Sequence, residues 1–252
     1  MKESDKIITV LTKELGVISI YAKGAMRLRN KFHSSTGLFT YSEFIVFEGK
    51  NNHMYQLNEA VVKNIFYNLS DSVENIALAM YMSELVCEVV VPCEVSNDIL
   101  RLYLNCLNML CQGKWSMLMT KAAFEMRLIS DVGFRPHMVG CKRCNKYESD
   151  LFWFDAMGGY LICSECLQPY DENIFACDPP IVLALRYFVL ADLEQLFTIN
   201  VKGFSLIRLS QICERYVLNH TKDNYKTLDF LTPMINSIFQ QEIAKHDKGN
   251  EK

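Results

Sequence analysis

Apolar and polar residues alternate through the first 65 positions in the manner of β-strands. In Val17–Ala22, the side chains of Val17, Ser19 and Tyr21 take one side and Ile18, Ile20 and Ala22 the other, which predicts a strand packed on both faces. Residues 7–11 alternate more loosely and run into Glu14-Leu15-Gly16, a turn. Residues 38–47 and 53–62 are two more predicted strands, joined as a hairpin by the polar cluster Glu48-Gly49-Lys50-Asn51-Asn52. Short strands at this spacing predict a small barrel or sandwich.

From Asp71 the period lengthens to that of helices. Ser70-Asp71-Ser72 offers a cap for a helix through Ile76, Met80 and Leu85. Asn97 or Asp98 caps the next, whose Ile99, Leu102, Tyr103, Cys106, Leu107 and Leu110 recur at helical spacing until Gly113. A third places Trp115, Leu118, Met119, Ala122, Met126 and Ile129 on one face and stops at Gly133. Three amphipathic helices in series predict a bundle. Asp178-Pro179-Pro180 starts another helix, with proline pre-set for the first turn. Residues 181–196, 205–220 and 234–243 complete the predicted helices, followed by a charged tail.

The interruption between the helices carries the chemistry. Cys141-Lys142-Arg143-Cys144 is followed by Cys163-Ser164-Glu165-Cys166, a C-x2-C-x18-C-x2-C pattern within the range of four-thiolate zinc sites. Two cysteines three positions apart can bring both sulfurs to one metal at about 2.3 Å, and a second pair completes the tetrahedron. Residues 151–154 and 159–162 read as a hairpin turning at Gly158-Gly159 that returns the second pair to the first. A four-cysteine site is closed to substrate, so its role is structural. Two reduced thiol pairs, a redox disulfide or iron are the competing readings. The other six cysteines (Cys87, Cys93, Cys106, Cys111, Cys177 and Cys213) lack ligand spacing and are expected as small core residues. His137 precedes Cys141 by four positions and is expected on the surface.

Composition and charge refine this outline. Half of the 252 residues are apolar, enough for a sizeable core. No run is long and apolar enough to span a membrane, and Met1-Lys2-Glu3-Ser4-Asp5-Lys6 has no apolar signal region. A cytoplasmic protein with reduced cysteines is the expectation. The net charge of −3 hides two acid-free stretches, residues 15–42 with Lys23, Arg27, Arg29 and Lys31, and residues 132–147 with Arg135, Lys142, Arg143 and Lys146. Together they carry +8, which leaves −11 for the rest of the chain. In one reading Lys142, Arg143 and Lys146 of the second stretch neutralise a thiolate-rich metal site; in the other, Arg135, Lys142 and Arg143 are additional nucleic-acid contacts. The first stretch is flanked by Tyr21, Phe32, Phe39 and Tyr41. Cations that track phosphates beside rings that stack on bases suit a single-stranded nucleic acid; a solvated loop is the alternative. No phosphate-binding glycine loop, zinc-protease motif or nucleophile elbow occurs, and the five histidines are scattered, so the reading is against an enzyme.

Read in order, these motifs resemble one family, the bacterial recombination mediator RecO of DNA repair. The resemblance rests on Glu3-Ser4-Asp5-Lys6-Ile7, Leu11-Thr12-Lys13-Glu14-Leu15-Gly16 and Ala22-Lys23-Gly24-Ala25. It continues in Gly133-Phe134-Arg135-Pro136 ahead of the first cysteine pair, and in Lys226-Thr227-Leu228-Asp229-Phe230-Leu231. It implies an α+β chain: an N-terminal OB-fold-like β-barrel over residues 1–68, then an α-helical domain over residues 69–252 with the zinc motif inserted at residues 134–170. It further implies binding and annealing of single-stranded DNA, binding of double-stranded DNA, and help in loading the recombinase onto DNA coated by single-strand-binding protein. RecR and the acidic tail of the single-strand-binding protein are the implied protein partners, and a nucleoid-associated location follows from the DNA. Cys141, Cys144, Cys163 and Cys166 are the expected ligands of one zinc, and Lys23, Arg27, Arg29 and Lys31 the expected DNA contacts. Two departures stand out. The family has a further strand ahead of the Glu3–Lys6 segment, so the barrel is expected to lack its first strand, or its reading frame to begin upstream. Met26 stands where the family typically has arginine. The competing function is a zinc-ribbon protein-interaction module without direct DNA binding.

Overall fold

The computed structural model describes residues 3–48, 54–169 and 173–250, the side chains of 241–250 excepted. β1 (Lys6–Leu11), β2 (Val17–Ala22), β3 (Thr40–Glu48) and β4 (Met54–Ile65) form one four-stranded sheet in the order β1-β2-β4-β3. β1 runs antiparallel to β2, β2 parallel to β4, and β4 antiparallel to β3. The β3–β4 pairing bears out the hairpin, although its connection at residues 49–53 lies outside the described residues. Leu38 is exposed and Phe39 adopts a left-handed φ of 53°, so β3 begins at Thr40, later than the alternation predicts.

This sheet encloses a small core of Ile18, Ile20, Ala22, Ala25, Phe32 and Leu57. Ile8 and Val10 of β1 and Phe44 and Val46 of β3 are only partly buried against it. The order makes β1 and β3 the two edges, and residues of both line an opening of about 870 Å³ that reaches Val86, Tyr103 and Leu107. Among the described residues the sheet is therefore open along one seam, between β1 and β3.

The helical unit is built on a much larger core. α1 (Val73–Val89) starts at Ser72, whose hydroxyl accepts from the Asn75 N–H. α2 (Asn97–Cys111) starts one residue earlier than predicted, after Ser96. The Ser96 hydroxyl donates instead to the Thr12 carbonyl at 2.6 Å and ties the helix to the barrel. Gly16 completes that joint: at φ 63°, an added Cβ would lie 2.3 Å from the Val91 carbonyl oxygen. α3 (Met117–Asp131) is capped by Ser116 and differs most from expectation. It is buried nearly all round, Lys121 and Glu125 included, because α1, α2, α4 (Pro179–Leu190) and α6 (Gly203–His220) surround it.

The predicted helix over residues 181–196 is two. α4 ends where Ala191 turns extended, and α5 (Leu193–Leu196) begins after Asp192. The last helix, α7 (Lys226–Asn250), starts eight residues before the predicted start and runs through Pro233. Docking on α1 and anchoring of the Thr227 N–H and hydroxyl on Glu84 outweigh the proline's missing donor. Of the six other cysteines, Cys106, Cys177 and Cys213 are buried and Cys111 half-buried, whereas Cys87 and Cys93 are exposed. Cys87 lines the opening beside the barrel and Cys93 lies in the loop after α1, and both are exposed, so neither is a core thiol. Among the described residues no helix is long and apolar enough to cross a membrane.

Candidate metal centre and nucleic-acid interface

The four-cysteine segment folds as a second sheet, β5 (His137–Cys141), β6 (Phe152–Asp155), β7 (Tyr160–Cys163) and β8 (Ile174–Cys177), in the order β5-β7-β6-β8. The predicted hairpin is β6–β7, paired from Phe152 with Cys163 to Asp155 with Tyr160. Its turn is closed by Asp155, which accepts from the backbone of Met157 and Gly158. The flanking strands β5 and β8 are absent from the sequence reading, since their patterns are too short to register. Met138, Phe152, Phe154 and Leu161 are fully buried in the helical core, and Arg186 of α4 donates to the carbonyls of Met138, Val139 and Tyr147. The insert is thus welded to the bundle.

The sulfurs of Cys141, Cys144, Cys163 and Cys166 all lie within 4.8 Å of one another, with Cys144 and Cys163 at 3.7 Å. A tetrahedron of sulfurs about 2.3 Å from one ion has edges of about 3.8 Å, so the donor set fits a single thiophilic metal. The backbone supports thiolate. Burial pushes the Cys141 thiol up, but N–H groups of Cys163, Cys144 and Arg143 more than reverse this and hold it at about 6. Hydrogen bonding among the crowded sulfurs, from Cys144 and then Cys163, pushes Cys166 up to about 12. One cation in place of the shared protons relieves that crowding. His137 is exposed, as expected.

The basic residues near the site divide. Arg143 donates to the Cys166 carbonyl, and Lys146 pairs with Glu165 at 2.6 Å, so each ties the first knuckle to the second. Arg135 is half-exposed and 3.9 Å from Asp131. Lys142 is exposed and has no ion pair among the described residues. Arg143 and Lys146 thus serve the insert's own structure.

The first basic stretch lies in the long connection from β2 to β3. Consecutive turns brace it, through Gly24–Arg27, Arg27–Asn30 and Asn30–His33 backbone bonds of 3.0, 2.9 and 3.0 Å. Gly24 sits at φ 69° and donates to buried Asp5, which also accepts from the Tyr21 hydroxyl at 2.6 Å. That hydrogen bond raises the Tyr21 pKa. Ala25 and Phe32 anchor the connection in the barrel core, and Lys23, Arg27, Arg29 and Lys31 all stand exposed. Lys31 is partly engaged, donating to the Asn58 carbonyl at 3.1 Å and lying 4.7 Å over the Phe32 ring. The other three make no ion pair among the described residues. The flanking aromatics are a correction: Phe32 is buried, Tyr21 is held by Asp5, and Phe39 packs against the helical core, which leaves Tyr41 alone exposed. Ring burial depends on tertiary packing and carries no local signal.

The sequence comparisons agree with this order of units. The family model described as "Recombination protein O N terminal" matches residues 1–66, and "Recombination protein O C terminal" matches residues 70–229. The DNA repair protein RecO of Acetivibrio thermocellus is 33% identical over 229 residues, covering 91% of this chain and 90% of the relative. That of Alkaliphilus metalliredigens is 27% identical over 228 residues, covering 90% and 92%. That of Caldanaerobacter subterraneus subsp. tengcongensis is 27% identical over 230 residues, covering 91% and 92%. An open N-terminal barrel, a helical core and a four-cysteine insert, matched in that order along nearly the whole chain, make this protein a member of the RecO family of DNA repair proteins.

Proposed function

We propose that this chain is a non-enzymatic mediator of DNA repair and homologous recombination, which binds and anneals single-stranded DNA and helps load the recombinase onto DNA coated by single-strand-binding protein. RecR, the acidic tail of the single-strand-binding protein, and double-stranded DNA are its further proposed partners, in the cytoplasm at the nucleoid. The observation that carries DNA binding is the braced β2–β3 connection, which holds Lys23, Arg27 and Arg29 in water without an ion pair among the described residues. These groups attract phosphates without reading base identity. Two strands neutralised in this way repel one another less, so complementary bases can register and the strands can leave as a duplex, with no nucleotide cofactor. Lys31 is a fourth contact once it leaves the Asn58 carbonyl. Lys142 and Arg135 are secondary contacts at most, and Arg143 is better read as structural.

We further propose zinc as the metal of the four cysteines, one per chain. When bound, it supplies a closed tetrahedral crosslink and no reaction centre. Residues 1–68 and 69–252, with an insert at 134–170, are the proposed folding units.

Salt dependence tests the DNA reading. Four phosphate contacts on a single strand give a slope of log affinity against log salt of about −0.7 per contact, roughly −3. Replacing Lys23, Arg27 and Arg29 by alanine should flatten that slope by about 2 units. A wild-type protein whose binding ignores salt, or that does not bind at low salt, would leave the protein-interaction module as the better description.

A further inference from the structure

Leu28 is the most exposed large apolar side chain among the described residues, at 84%, and Met26 is exposed at 55%. Both project from the same connection that carries the unpaired bases. The Arg27–Asn30 turn places Leu28 and Arg29 at its two corners, and the Met26 N–H is pinned to the Ser4 carbonyl at 3.0 Å. Ala25 and Phe32 occupy the inward places on either side, so Met26 and Leu28 cannot fold back into the small core without displacing them. The segment thus holds two apolar side chains in water, interleaved with Arg27 and Arg29. Of the flanking rings, Phe32 is withdrawn by burial and Tyr21 by its bond to Asp5, which leaves only Tyr41, on β3 and outside this connection, exposed.

We propose that Met26 and Leu28 form an apolar wedge that packs against and between the unpaired bases of a strand whose phosphates lie along Lys23, Arg27 and Arg29. This rests on the DNA-binding reading above and adds which side chains touch the bases. Every base has an apolar face, and methionine and leucine are among the side chains that insert between base steps. Such contact is blind to sequence and leaves the hydrogen-bonding edges of the bases free for a complementary strand. It also gives Met26 a use at a position where a further cation would add only phosphate contact.

The test uses the full chain and a single-stranded oligonucleotide carrying 2-aminopurine, whose fluorescence rises when its neighbours unstack. Wild-type binding should raise the signal. A Met26→Ala/Leu28→Ala variant keeps every charge and, with both side chains on the surface, the wild-type melting temperature. It should bind about ten-fold more weakly, with an unchanged salt slope, and lose the fluorescence rise. A Lys23→Ala/Arg27→Ala/Arg29→Ala variant should instead lose the slope. Wild-type binding without a fluorescence change, or a rise that survives in the double alanine variant, overturns the wedge and leaves DNA binding intact. Failure of the wild type to bind the oligonucleotide overturns both. Saturable, Leu28-dependent binding to phosphatidylglycerol vesicles with no effect of the variant on the oligonucleotide assigns the side chains to a lipid surface and overturns the proposal.

Discussion

The barrel and the helical unit solve the same problem with unequal means. The helical unit wraps α3 in other helices, locks the four-cysteine sheet onto them, and buries side chains such as Leu85, Phe124 and Leu185 completely. The barrel closes on six buried apolar residues and leaves Ile8, Val10, Phe44 and Val46 half-covered along its seam. Its basic β2–β3 connection is held by hydrogen bonds and two anchors instead of by a deep core. The shallow unit presents the exposed bases of the β2–β3 connection, while the deep unit holds the fold together. Local stability then varies across the chain, highest where apolar contacts are densest.

The strongest way to break this contrast is through the metal centre. Cys141→Ser or Cys163→Ser should abolish bound zinc and cost more than about 4 kcal/mol, because metal binding is folding free energy and the insert shares the helical core. Metal content and thermal melting report both; one zinc per chain retained after either change would refute the four-thiolate assignment. Next come matched core deletions. Leu85→Ala, in the packed helical core, should cost about 2–5 kcal/mol, against roughly 1 kcal/mol or less for Val10→Ala at the half-covered seam. Equal losses in denaturant unfolding would show the seam to be as closed as the bundle.

A third effect is electrostatic and confined to the deep unit. Lys121 lies 2.7 Å from Glu125 and 2.8 Å from Glu214, and the Tyr81 hydroxyl donates to Glu125 at 2.7 Å. Burial pushes Glu125 up to about 7, with Lys121 acting against it. In the unfolded chain this carboxyl loses its proton near the ordinary 4.5. The folded state therefore holds the extra proton between those values, and stability falls as pH rises from about 4.5 to about 7. Glu125→Gln should remove most of that slope, up to about 3 kcal/mol across the window, measured by melts at several pH values. An unchanged slope would assign the pH dependence elsewhere.

What could be read along the chain was set by near neighbours. The strand alternation, the serine cap at Ser72, the Asp178-Pro179-Pro180 helix start and the paired cysteines are local patterns, and the structure reproduces each of them. The misreadings share the opposite cause. An amphipathic face was expected on α3, but its polar residues are buried because Lys121 meets Glu125 on its own helix and Glu214 on α6. The last helix was expected to start at residue 234, but docking on α1 carries it back to Lys226, through Pro233.

The division is physical. The sequence alone determined the element types, the donor set for a metal and the sign of each charged stretch, because capping, alternation and ligand spacing act over a few residues. Only the tertiary structure decided which charges are free. Arg143 and Lys146 are spent on the second knuckle and Lys31 leans on Asn58, whereas Lys23, Arg27 and Arg29 stand open with Met26 and Leu28 between them. Whether a cation faces water or a carbonyl depends on segments tens of residues away, and only folding brings those together.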